Sequence, residues 1–311
     1  MFERQLGFTR MPCKEIDINQ ISKMQNEIKK PSLDEFKASI SPIWEKVIAT
    51  HGSDISKLLN TNEPSVIKGL FENFFVNGLS DGAAVGSSMK NLRTVLKIKG
   101  REHKRLNKLS KITAAEKLDL NFDLYDFGQP WLLKTSYGIL NFELTDHYYF
   151  AILIKKYVQE WKINEVIFLG DGCGYLAQCL LELDKDQLIN KVIFIDLYHF
   201  LCRQYLLLNN TKDLHKIEFF NAEATEYKTD SNEKILINQD SLPEISQAQQ
   251  DKYFDFMRNN NVRALVSYNK IDGSLGHVEF RKQADSLFSN KILCKESEIR
   301  KGYWLEIWHD L

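Results

Sequence analysis

The hydrophobic rhythm of the chain changes near its middle. Before about residue 160, helical spacing dominates; after it, short unbroken apolar runs alternate with helical stretches. Residues 166–169 form an apolar run too brief for a helix and bounded by glycines, which predicts a buried parallel strand. Residues 175–183 have the spacing of a helix packed on it, and residues 192–195 predict a second buried strand ending in an acid, Asp196. The alternation continues with a helix at 200–208, a strand at 216–220, a strand at 234–238, a helix at 246–258, a strand at 264–268 and a helix reaching 287. Two last runs, 291–296 and 303–308, flank Arg300-Lys-Gly302 and predict an antiparallel hairpin. Five strands with helical crossovers and a terminal hairpin give an α/β fold: a mostly parallel, Rossmann-like doubly wound sheet with a reversed last strand.

The N-terminal third is mainly helical. Ser32 and Glu35 have capping-box spacing at the head of a helix expected to run to residue 48, kinked or divided at Pro42. A second helix is predicted at 63–76, with Pro64 at its start and Asn77-Gly78 at its end. Residues 78–88 are small and turn-prone, either a lid loop or a surface connection. Residues 90–117 read as a helix carrying ten Lys and Arg residues against Glu102 and Glu116. That is either a patch for an anionic substrate or a solvated face. Residues 137–144 predict a short strand or hairpin, and Thr145 is the expected N-cap of a helix running to Trp161. The expected division is a helical region at 1–135, suited to a substrate or lid role, and a nucleoside-binding α/β domain at 136–311.

Gly170, Gly172 and Gly174 follow the first strand as G-x-G-x-G, letting the backbone turn sharply and approach a ligand. Asp196, at the end of the next strand, is positioned to accept hydrogen bonds from ribose hydroxyls. The dinucleotide fingerprint G-x-G-x-x-G, which seats a pyrophosphate, is absent. The tighter loop favours S-adenosylmethionine over NAD.

Composition narrows the classes. The chain has 311 residues, 43% hydrophobic and 27% charged, as in a globular protein with a real core. A net charge of −1 argues against nucleic acid as the main partner. No apolar run approaches the ~18 residues of a membrane span, and residues 1–7 lack a secretory pattern. Five scattered cysteines without a C-x-x-C pair predict reduced thiols in a cytoplasmic protein, with no zinc site.

The glycine loop, Ile195-Asp-Leu197, Gln204-Tyr-Leu-Leu-Leu208 and Ile237-Asn-Gln-Asp-Ser-Leu-Pro-Glu244 together resemble the sugar O-methyltransferases associated with bacterial surface polysaccharide. Gly128-Gln-Pro130 and the helix bearing Tyr148 and Tyr149 fit the same pattern. The resemblance spans roughly the last 185 residues and extends to the helical N-terminal part. It implies a class I methyltransferase fold, S-adenosylmethionine as cofactor, and a nucleotide sugar or glycan precursor as acceptor. It further implies that Gly170, Asp171, Gly172 and Gly174 line the cofactor and that Asp196 holds its ribose. Leu197 would flank the adenine, Ala222 and Glu223 would border it, and Asn238, Gln239 and Asp240 would lie toward the methyl group. The family usually has an acid two residues before the first glycine; here that position is Phe168, and Asp171 is a partial substitute.

Methyl transfer to a hydroxyl is helped by a general base. The candidates are Asp240 and Glu244 after the fourth strand and His277 after the fifth. Each has an ordinary alternative: Asp240 as a cofactor or metal contact, Glu244 as a helix cap, His277 as a loop histidine. His199 reads as core, while His147 and Tyr148 either close the site from their helix or pack. Asp240 with Asp272 is the one metal reading; without a compact ligand cluster, metal-independent chemistry is preferred. Two other classes compete. One is an NAD-dependent oxidoreductase, opposed by the loop spacing and the lack of a suitable Y-x-x-x-K pair; the other is a non-catalytic scaffold, suggested by Phe168.

Overall fold

The computed structural model describes residues 7–40, 45, 48–49, 53–80, 92–120, 124–209, 211–222, 227–228, 233–271 and 275–310. Seven strands form the central sheet: β4 (Glu165–Leu169), β5 (Lys191–Asp196), β6 (Ile217–Asn221), β7 (Lys234–Gln239), β8 (Ala264–Lys270), β9 (Asn290–Glu296) and β10 (Tyr303–His309). Their order is β6-β5-β4-β7-β8-β10-β9, parallel from β6 to β8, with β10 inserted antiparallel between β8 and β9. This is the expected α/β sheet with its reversed strand. Order reverses at the β4–β7 junction, so the crevice beyond the carboxyl ends of those strands is where such a sheet accepts a ligand.

Both faces of the sheet are buried, which is why its strands read as unbroken apolar runs. Val166, Phe168, Phe194 and Ile237 point into one core, and Ile167, Leu169, Ile193 and Leu236 into another. Phe168 lies in a ladder with Phe194 (ring centroids 5.4 Å apart) and Phe219 (5.5 Å from Phe194). The position where relatives are expected to carry an acid is therefore core here.

Helix α1 (Ile18–Glu27), α2 (Leu33–Ser39), α3 (Ser53–Asn60) and α4 (Pro64–Glu72) form the N-terminal region, and α5 spans Leu92–Glu116. The Ser32–Glu35 capping box is present. Residues 41–44, including Pro42, and most of the suggested 78–88 loop lie outside the described residues. A small sheet pairs β1 (Phe8–Arg10) with β2 (Trp131–Thr135) and β2 with β3 (Gly138–Asn141). Helix α6 (Glu143–Glu160) begins two residues before Thr145, with Phe142 at its N-cap. Thr145 is a fully buried interior residue of the first turn, which corrects the N-cap expectation. Then come α7 (Tyr175–Leu183), α8 (Tyr198–Leu208), α9 (Gln247–Asn259) and α10 (Leu275–Leu287).

The larger core cluster is continuous between the two halves of the chain. It joins Phe36, Phe71 and Phe74 of the N-terminal region to Tyr148, Phe168 and Phe194. Within it, Arg203 of α8 is fully buried and donates to Asp126 Oδ1 at 2.7 Å. Its guanidinium carbon lies 4.5–4.7 Å from the ring centroids of Phe74, Phe75 and Phe127. Asp126 also accepts from Tyr175 Oη (2.7 Å), Asn141 Nδ2 (2.8 Å) and the Phe127 N–H (2.8 Å). A buried ion pair with that many donors is satisfied rather than merely tolerated.

Candidate functional site

A cavity of ≈ 240 Å³ opens at the carboxyl ends of β4, β5 and β7. Its floor is the loop after β4. Gly170, Gly172 and Gly174 all have left-handed backbone (φ 72°, 60° and 81°), as the sequence pattern demands. A Cβ on Gly170 would lie 2.5 Å from Ser241 Oγ, so the loop is packed tightly against the segment after β7. Gly174 is the N-cap of α7 and has no side chain to cap with. Asp171 does that work instead: its carboxylate accepts from the N–H groups of Leu176 (3.2 Å) and Ala177 (3.0 Å). Burial pushes the Asp171 pKa up to about 8, against the opposing effect of those two bonds.

Asp196 closes the far wall. Its carboxylate accepts from Gly172 N (2.8 Å), Leu197 N (2.7 Å) and Gln204 Nε2 (2.8 Å). Burial raises its pKa to about 6, and the same hydrogen bonds hold it from rising further. Leu197 and Ala222 extend this wall, and a second cavity of ≈ 520 Å³ adjoins there, sharing Ser39, Leu197 and Ala222 with the first.

The opposite half is built from helices and the β9–β10 turn. Glu143, Asp146 and His147 line it from one face of α6, as i, i+3 and i+4 spacing allows. Arg300, in the β9–β10 turn, donates from Nη1 to Asp146 Oδ2 (2.9 Å) and to Asp240 Oδ2 (3.0 Å). Asp240 itself has left-handed backbone (φ 53°), and burial, foremost, raises its pKa while Arg300 opposes the shift. His147 is kept neutral: burial, above all, lowers its pKa to about 4, with Asp146 opposing and Arg300 assisting. Its Nδ1 is buried and has no hydrogen-bond partner among the described residues, while a side-chain hydrogen bond with Gln239 works against the lowering of its pKa. Arg101 and Arg105 of α5 complete this half.

Eight of the residues expected at the site meet at this cavity: Gly170, Asp171, Gly172, Asp196, Leu197, Ala222, Gln239 and Asp240. Asn238 does not line it. Fully buried, it donates to the Leu169 carbonyl at 3.2 Å and to Ser241 Oγ, bracing the glycine loop from beneath. His277 is corrected outright. At 2% exposure it sits in the first turn of α10, its Nε2 3.6 Å from Glu306 Oε2 and its ring against Phe280, away from the cavity. Glu244 ends a single 3-10 turn, Leu242–Glu244. Glu223 and Asp272 lie outside the described residues. Among those residues, no group of three His, Cys, Asp or Glu side chains is arranged to hold a metal ion.

Sequence reasoning missed Arg101, Arg105, Glu143, Asp146 and Arg300. Arg300 had a legible signal: the turn of a hairpin whose second strand runs antiparallel to the sheet must lie at the carboxyl edge.

The three aspartates with raised pKa, Asp171, Asp196 and Asp240, predict a pH effect on the ligand-free protein. A carboxyl whose pKa is raised by folding contributes stability at low pH and loses it as pH climbs through the folded value. The lowered histidines, His147, His199 and His309, act oppositely, but their effect is complete above the ordinary value of 6.5. Between pH 6.5 and 8.5 the melting temperature should therefore fall by a few degrees, corresponding to ~2 kcal/mol through Asp171. Differential scanning calorimetry should show the slope largely abolished in Asp171→Asn.

No family model matches the chain, and no curated protein matches it. Among solved structures, the methyltransferase domain of bacterial CtHen1-C is similar at a TM-score of 0.41 and 15% identity, over 52% of this chain and 97% of that one. A SAM-dependent methyltransferase from Aquifex aeolicus is similar at 0.39 and 14%, over 50% of this chain and 89% of that one. An O-methyltransferase family protein from Burkholderia thailandensis is similar at 0.36 and 16%, over 53% of this chain and 58% of that one. Likeness this slight carries no functional weight, so function must be argued from the site itself.

Proposed function

We propose that this chain is an S-adenosylmethionine-dependent O-methyltransferase acting on a sugar hydroxyl of a nucleotide sugar or surface-glycan precursor. The observation that carries the reading is the wall at the switch point, where left-handed glycine backbone and the Asp196 carboxylate face one cavity. Charge supports it. The cavity is lined by Glu143, Asp146, Asp171, Asp196 and Asp240 against Arg101, Arg105 and Arg300. Burial keeps Asp171 largely protonated at neutral pH, and the remaining four acids against three arginines suit a sulfonium at the glycine-loop end.

In this reading Asp196 accepts one ribose hydroxyl at Oδ1 in addition to its three protein donors, a carboxylate having about four lone-pair sites. Leu197 and Ala222 offer apolar contact to the base. Bound there, S-adenosylmethionine supplies an electrophilic methyl group. The neutral ring of His147 lines the same cavity and is suited to take the proton of the acceptor hydroxyl. Asp146 and Asp240 are instead each held in an ion pair with Arg300. The sugar as acceptor rests on the sequence resemblance and on the polar character of the α5–α6 half.

Isothermal titration calorimetry should show S-adenosylmethionine and S-adenosylhomocysteine binding and NAD silent. Binding of NAD alone would overturn the reading. With binding in hand, mass spectrometry of nucleotide sugars incubated with protein and cofactor should find a product heavier by one methylene group.

A further inference from the structure

We propose that Arg101 and Arg105 form an oxyanion subsite for the methyl acceptor, which is therefore a molecule carrying a phosphate or carboxylate beside its hydroxyl; this rests on the methyl-transfer reading. The two residues are one helical turn apart on α5, on the same face, and both line the cavity. The neighbouring lysines of the helix do not line it; Lys108, for one, donates to the Glu298 carbonyl. The helix is strongly basic, yet it delivers only these two guanidiniums to the site.

They are held in place from behind. Glu102, fully buried, accepts from Arg101 Nε at 2.8 Å and from Arg105 Nη1 at 2.9 Å. Arg105 Nε also donates to the Ile299 carbonyl at 3.2 Å. Among the described residues, both Nη atoms of Arg101 and Nη2 of Arg105 have no hydrogen-bond partner. One buried carboxylate thus fixes two cations and leaves a net positive patch with free donors, an arrangement matched to oxyanion oxygens.

The remainder of the cavity has the opposite character. Arg300 is committed to Asp146 and Asp240, and Asp171 and Asp196 sit at the glycine loop. Those acids suit the cationic cofactor, whereas the arginine pair does not. Its side-chain exposure of 45% puts Arg101 at the mouth, where a diffusing acceptor arrives. Arg105 lies close enough to His147 to depress its proton affinity, so the subsite adjoins the imidazole that would receive the hydroxyl proton.

The test is calorimetry on the full chain saturated with S-adenosylhomocysteine, titrated separately with inorganic phosphate, pyrophosphate and galacturonate. At least one phosphate probe or the carboxylate probe should bind, and the arm that responds identifies the source of the oxyanion. Arg101→Gln should weaken that binding tenfold or more while changing cofactor affinity less than twofold. Because Arg105→Gln leaves Glu102 half-paired and buried, Arg105→Gln is combined with Glu102→Gln, and the double variant should lose the probe equally. The proposal is overturned if no probe binds a wild-type protein that binds cofactor, or if Arg101→Gln leaves probe affinity unchanged. It is also overturned if cofactor affinity falls with the substitution, which would assign the pair to the cofactor's own carboxylate. A wild-type chain that ignores S-adenosylhomocysteine refutes the methyl-transfer reading instead, and the same probes titrated into the ligand-free chain then decide the subsite.

Discussion

Replacing Asp196 with alanine is expected to weaken S-adenosylmethionine binding by at least about 100-fold, or roughly 3 kcal/mol, without unfolding the chain. Two losses combine. The ribose loses its acceptor, and the glycine loop loses the carboxylate that receives the Gly172 N–H and the Gln204 amide. An unmade hydrogen bond to a charged group costs more than a neutral one. The fold itself should tolerate the change, because burial already disfavours this carboxylate in the ligand-free state. Asp196→Asn is a sharper probe: it keeps the volume but sets an amide against donors. Calorimetry with circular dichroism as the folding control decides the matter. An alanine variant that binds within threefold of wild type would remove Asp196 from the cofactor site.

The largest stability effect should come from Arg203→Met. The substitution leaves Asp126 buried without its cation, although Tyr175, Asn141 and Phe127 still donate to it. Breaking one partner of a buried pair costs about 3–5 kcal/mol. The rings of Phe74, Phe75 and Phe127 also lose a cation that lies within 5 Å of each centroid. Urea denaturation should show the midpoint lowered at unchanged slope. Pairing the change with Asp126→Leu should recover part of the loss, since it removes the stranded charge. A single variant as stable as wild type would mean that the pair carries no net stabilisation.

The sheet was legible because its strands are buried on both faces. Residues 166–169 and 192–195 are unbroken apolar runs bounded by glycine or acid, and β4 and β5 fall there within one residue. The glycine-loop half of the cavity was legible for the same reason, since Gly170 directly follows one strand and Asp196 ends the next. The small sheet was only half legible. A strand or hairpin is expected near 137–144, where β3 lies, but its neighbour β2 pairs in turn with residues 8–10, more than 120 positions away, with no local mark of the pairing. The α5–α6 half was obscure for a related reason. Which of the ten cations at 90–117 faces a cavity depends on helix phase and on Glu102, neither of which periodicity fixes. His277 shows the converse error: a histidine just past a strand looked exposed, yet α10 carries it onto Glu306.

The apolar interior shared by both halves bears on how such a protein can be re-engineered. Exchanging residues 1–135 for those of a relative, to import a new acceptor preference, would remove Asp126 together with Phe74, Phe75 and Phe127 and strand the buried Arg203 among foreign side chains. A working chimera would have to carry α7, α8 and their aromatic escorts along with the helical half, so the graftable unit is larger than the acceptor pocket alone suggests.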